Sequence, residues 1–188
     1  MLTLACALLI GCATIPKPES EDDNLLIGIM KYTGQGYTNN YSALNGTHTS
    51  GIEVTFKNVD SNEEYKIRTQ KNGLYYTSEL PEGTYQLVSF YLNINRDGSS
   101  VQVSTTQVDT YLFTITSGVI NNLGTVNFDG IFREGIYTKF PGLYNDVENE
   151  FRTQFPKTEW LNRSIQTLRF RMVPKTQAAE AQADDTQE

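Results

Sequence analysis

From residue 25 onward, apolar positions fall in short runs separated by turn signals. Ile52, Val54 and Phe56 alternate with Glu53, Thr55 and Lys57, the period-two pattern of a half-buried strand. Tyr65, Ile67 and Thr69 alternate with Lys66, Arg68 and Gln70 in the same way. Residues 25–32 are apolar enough for a first strand. Residues 84–95 are apolar on both faces, as in a central strand covered on both sides. Further strands are expected near 101–103, 108–116 and 119–128. The punctuation between them is Asp60-Ser-Asn62, Asn72-Gly73, Pro81-Glu-Gly83 and Asp97-Gly98. Asn-Gly is a hairpin signal because both residues tolerate positive φ; the others are common turn chemistry. A Gly/Asn/Thr/Tyr-rich stretch over 33–50 reads as a loop.

The period then changes. Leu143, Val147, Phe151 and Phe155 recur at spacing four, with acids and Arg152 between them. That spacing predicts an amphipathic helix over about 143–155, ended by Pro156. Trp160 is expected to pack the chain back onto the core. Ile165, Leu168, Phe170 and Met172 suggest one last short element. Short strands at about ten-residue spacing favour a mainly β, antiparallel sandwich over a parallel sheet. The domain is expected to span 25–174, followed by a disordered acidic tail over 175–188.

Three segments carry a family resemblance: Gly51-Ile-Glu-Val-Thr-Phe, Thr69-Gln-Lys-Asn-Gly73-Leu-Tyr75 and Leu80-Pro-Glu-Gly83-Thr-Tyr85-Gln-Leu87. Together they resemble the carboxypeptidase regulatory-like, or transthyretin-like, β-sandwich. There a Thr-x-x-x-Gly-x-Tyr/Phe hairpin precedes Leu-Pro-x-Gly-x-Tyr. The resemblance implies a transthyretin-like or Ig-like sandwich and is nearly silent on function. The physics agrees with it: Tyr75 and Tyr85 can pack over the core. Some relatives carry an acid-promoted Lys–Asn isopeptide bond. Lys31 and Asn127 are the residues to compare here, although Gln86 and Ser89 stand where an acid would be sought.

The first 11 residues are apolar and uncharged. A bilayer span needs about 20 such residues, so this run has the length of a signal-peptide core instead. It ends in Leu9-Ile10-Gly11-Cys12, which resembles the lipobox of bacterial lipoproteins. The resemblance implies cleavage between Gly11 and Cys12 and lipid attachment at Cys12. Two or three acyl chains anchor stably, where one would be marginal. A basic n-region is missing, so the true start is expected upstream of Met1. The competing reading is a buried N-terminal strand, but Pro16, Pro18 and four acids follow at once. Residues 12–24 are therefore expected to form an acidic, flexible tether. Ala13 is not the Asp common at that position in lipoproteins retained at the inner membrane. By the same resemblance the outer membrane is the expected address.

The formal charge of −7 sits mostly at the two ends. Residues 1–23 and 175–188 each carry −3, leaving −1 for the body. No basic footprint exists for a phosphate backbone, so nucleic acid is not an expected partner. Both cysteines, Cys6 and Cys12, precede residue 13, so the body holds no disulfide, thiolate metal site or cysteine nucleophile. The single histidine, His48, is expected in a solvated loop, and no cofactor, metal or catalytic constellation is expected. Tyr32, Tyr37 and Tyr41 cluster around the 33–50 loop. Exposed, their rings would stack on sugars or form a protein hot spot; buried, they would serve packing. The expected role is a membrane-tethered, non-catalytic adaptor with an envelope-protein or cell-wall partner. The alternative is a lipoprotein that binds a carbohydrate or small ligand through these aromatic residues.

Overall fold

A computed structural model of the chain describes residues 15–35, 45–96, 99–105, 111–131 and 135–172. Within them the chain forms β1 (Leu25–Gln35), β2 (Gly46–His48), β3 (Ile52–Asn58), β4 (Glu64–Arg68), β5 (Leu74–Thr77) and β6 (Gly83–Arg96). Then come β7 (Ser99–Thr105), β8 (Tyr111–Ile115), β9 (Ile120–Ile131), β10 (Gly135–Gly142) and helix α1 (Tyr144–Gln154). A 3-10 turn over Glu159–Asn162 leads to β11 (Ile165–Thr167) and β12 (Arg171–Met172).

Two sheets result. The first has the order β10-β9-β1-β2, with β5 also on β1 and β11 also on β9; the second has the order β12-β8-β6-β3-β4, with β7 also on β6. The mainly β, two-sheet expectation is met. A purely antiparallel arrangement is not, because β1 and β11 both run parallel to β9. The physical reason is connectivity. After β1 and β2 the chain spends most of β3 to β8 in the second sheet, so no hairpin constrains how β9 returns. Strand β10 also escapes the sequence pattern. Its Gly135, Pro141 and Gly142 weaken the signal, and proline is tolerated in sheets at edges, where β10 lies.

Between the sheets lies one apolar core: Leu26, Met30, Tyr75, Val126 and Phe128 from the first face Val54, Phe56, Leu87, Phe90 and Phe113 from the second. The first sheet is also covered on its other face. There Leu25, Ile27, Ile29, Leu74 and Ile120 pack under Val147 and Phe151 of α1 and under Trp160. Thus β1 is buried on both faces over residues 25–30, and the molecule has three layers, sheet, sheet and helix. Helix α1 matches the expected span, with Val147 and Phe151 buried. Leu143 leaves the expected stripe: it is the N-cap in a left-handed conformation, φ 42°, and is exposed.

The Leu-Pro-x-Gly-x-Tyr segment explains itself in hydrogen bonds. Tyr85 Oη donates to Pro81 O (2.8 Å), and Asn24 Nδ2 donates to Leu80 O (2.9 Å). Tyr75 and Tyr85 are both buried.

Residues 15–24, expected as part of a flexible tether, lie against the body instead. Trp160 Nε1 donates to Pro16 O at 2.7 Å, and Ile15 packs against the helix-side core. Lys17 Nζ pairs with Glu159 at 2.6 Å. Arg163 donates to the carbonyls of Ser20, Glu21, Asp23 and Gly118. Composition suggested a free spacer because prolines and acids build no core of their own. It did not reveal that one guanidinium would satisfy several carbonyls of the strap at once.

Candidate functional site

Of the 33–50 stretch expected as a loop, residues 33–35 continue β1, and Gly46–His48 form β2; the chain is described again from Asn45. From there to Gly51 the chain reads Asn-Gly-Thr-His-Thr-Ser-Gly, with Gly46 at φ 99° and Gly51 at φ 73°. These left-handed turns bracket a short edge strand and a hydroxyl-rich corner. The strand β2 pairs with the far end of β1, setting Tyr32 opposite His48 and Thr33 opposite Thr47. The corner is fixed by Thr69, a buried residue. Its hydroxyl donates to Thr49 O (2.7 Å) and accepts from Ile52 N (3.0 Å). Thr49 Oγ1 donates in turn to Lys71 O at 3.1 Å.

Across from this corner runs β6, where Leu92 and Ile94 point inward and Asn93 is exposed. Between the two lies an open groove of about 340 Å³ lined by Thr47, His48, Thr49, Ser50, Leu92, Asn93 and Ile94. Its lining offers hydroxyls, one amide, one imidazole and two aliphatic side chains. That set suits an uncharged ligand or peptide segment with both hydrogen-bonding groups and an apolar face. Among the described residues no carboxylate, lysine or cysteine lines it. Among the described residues no group of three metal-ligating side chains converges, and no helix is long and apolar enough to cross a membrane.

Sequence reasoning passed over this groove. It singled out Tyr32, Tyr37 and Tyr41 as contact residues. Tyr32 is corrected by the structure: it is fully buried. Its ring stacks on Phe90 at 5.8 Å, and Phe90 stacks on Phe128 at 4.2 Å. The reason is strand phase, because Tyr32 shares the inward face of β1 with Met30 and period two leaves it no other side. Tyr37, Tyr41, Gly11 and Cys12 lie outside the described residues. His48, expected in a solvated loop, is half-buried, with its ring 6.0 Å from that of Tyr32. The overlooked signal was the hydroxyl-rich run between two glycines.

Lys31 and Asn127 are also placed. They are register partners across β1 and β9, and Lys139 stands opposite Asn127 on the other side. Asn127 Oδ1 is buried without a hydrogen-bond partner. The nearby carboxylate in sequence, Asp129, pairs with Lys139 at 2.7 Å.

No family model matches the chain, and no curated protein matches it in sequence. Among solved structures it is similar to a leucine-rich repeat protein from Bacteroides thetaiotaomicron, at 14% identity and a TM-score of 0.32. That match covers 62% of this chain and 14% of the other, so the chain spans about a seventh of that protein's length. It is also similar to a candidate carbohydrate-binding protein from Pseudomonas aeruginosa, at 12% identity and a TM-score of 0.32. Here 58% of this chain and 88% of the other are covered.

Proposed function

We propose that this chain is a bacterial lipoprotein, cut before Cys12 and anchored by lipid there. Its β-domain acts as a non-catalytic binding or adaptor module of the cell envelope, most simply at the outer membrane. The domain is read as a divergent transthyretin-like sandwich, supported by the Tyr85–Pro81 hydrogen bond inside its Leu-Pro-x-Gly-x-Tyr segment. The observation that carries the binding role is the open groove between β2 and β6, polar in its hydroxyls and apolar at Leu92 and Ile94. The anchor rests on the apolar run that ends at Leu9-Ile10-Gly11-Cys12.

A second reading is a lipoprotein that binds a carbohydrate or small ligand. The hydroxyls of Thr47, Thr49 and Ser50 beside the imidazole of His48 favour it. With Tyr32 buried, such a ligand would rest on these groups and not on that ring.

Two experiments test the proposal. Cys12→Ser should move the protein from the membrane to the soluble fraction. A wild-type chain that is soluble and keeps residues 1–11 overturns the anchor. Crosslinking in native envelopes, followed by mass identification, should yield a reproducible protein or peptidoglycan adduct. Lipidated chain without an adduct turns the reading to the soluble ligand, to be sought by glycan screening.

A further inference from the structure

The strap and the groove sit at opposite ends of the same strand. Leu25, where the strap enters β1, donates its backbone N–H to Val119 O (3.2 Å). Arg163 holds Ser20, Glu21, Asp23 and Gly118 at this end. The groove residue His48 pairs with Tyr32, seven residues further along. At about 3.3 Å per strand residue, the two ends are about 23 Å apart along β1.

Chain length then limits where Cys12 can be. Pro16 is four residues on from it, so their Cα atoms are at most about 14 Å apart whatever path lies between. Pro16 O is 2.7 Å from Trp160 Nε1. A freely extended tether from Cys12 to residue 24 would instead reach about 40 Å.

We infer that the strap converts the lipid anchor into an orienting one. It holds the Trp160–Arg163 end of the domain close to the bilayer surface and turns the groove between β2 and β6 away from it. The inference rests on the reading of Cys12 as the lipidated residue. The occupant of the strap end is a lipid surface, because the acyl chains on Cys12 have no reach to go elsewhere. The groove is thereby left open to partners in the aqueous space.

Trp160 is the only tryptophan in the chain, so the native protein carries its own reporter. The lipidated protein is reconstituted into phosphatidylcholine vesicles containing a headgroup-attached dansyl acceptor. Energy transfer from Trp160 is read with and without the acceptor. Most of the Trp160 emission should be lost to transfer. A variant with ten Gly/Ser residues inserted after Thr14 leaves every described contact in place and adds about 17 Å of mean reach. Its transfer should fall sharply. Lipidated, vesicle-bound protein with weak transfer in both forms overturns the orientation while leaving the anchor intact. Equally strong transfer in both forms also overturns it, because the short tether would not then set the distance. A chain whose N-terminal peptide has no lipid mass, and which does not float with vesicles, overturns the anchor and the orientation together.

Discussion

Gly28 of β1 and Tyr75 of β5 are cross-strand partners, and the tyrosine ring occupies the space a side chain at 28 would need. A Cβ built there would stand 2.6 Å from Tyr75 Cζ, well inside van der Waals contact. The ring is fully buried and its hydroxyl has no hydrogen-bond partner. Gly28→Ala should therefore cost about 1–3 kcal/mol through overpacking. Denaturant midpoints at constant slope would measure it; an unchanged midpoint would show that the ring can swing aside.

The orphan hydroxyl leads to the opposite prediction for its own residue. Burial pushes the Tyr75 phenol well above its ordinary pKa, and the group gains no bond for being there. Tyr75→Phe removes an unsatisfied polar atom and keeps the ring, so stability should rise by about 1 kcal/mol. A loss of stability would mean that the hydroxyl has a partner, such as a buried water.

Thr69 makes two hydrogen bonds with one hydroxyl, to Thr49 O and from Ile52 N. Thr69→Val keeps the volume and deletes both. About 2 kcal/mol of destabilisation is expected from the unsatisfied carbonyl and amide. Amide exchange should quicken first at 49–52, because the corner that frames the groove loses its pin. Uniform exchange across β3 would argue that the corner is held by other means.

Ser50 is exposed at the mouth of that groove. Ser50→Trp should fill part of it at a stability change within about 0.5 kcal/mol. If the groove binds the partner, the envelope adduct should disappear while the variant keeps its thermal midpoint. An adduct of undiminished yield would move the binding surface elsewhere on the domain.

Strap closure should depend on acid. The Asp23 carboxylate accepts bonds from the backbone N–H and hydroxyl of Ser20 and from the backbone N–H of Glu19, which hold its pKa below the ordinary range. The closed strap thus binds a proton less readily than the open one. Its contribution is complete above the ordinary carboxylate pKa of about 4 and is lost as pH falls through the lowered value. Below about pH 4 the Trp160 emission should shift red as Pro16 departs and water reaches the indole. Asp23→Asn should show the shifted emission already at neutral pH, and identical pH profiles for both proteins would exclude Asp23 as the cause.

Much of the architecture was legible because it depends on local periodicity. The alternation at 52–57 and 65–70 marks β3 and β4, and the four-residue spacing of Val147 and Phe151 marks α1. Parallel pairing of β1 with β9 was not legible, since nothing in a strand records its partner's direction. The strap was misread because its contacts are backbone carbonyls taken up by Arg163 and Trp160, more than 130 residues away. The groove was missed for a related reason. Its walls come from 47–50 and 92–94, and only folding joins a hydroxyl-rich corner to the middle of a long strand.

The pairing of β1 with β9 also sets a clock. Leu25 meets Ile120 across the ladder, so the β9 side of the first strand waits for a partner made 95 residues later. At about 5–20 residues per second of synthesis, that wait is about 5–20 s. Such non-local pairing also folds slowly once the chain is complete. Throughout that interval the first sheet lacks its β9, β10 and β11 strands. Until β9 arrives, that part of the chain opens more easily than it will in the finished domain.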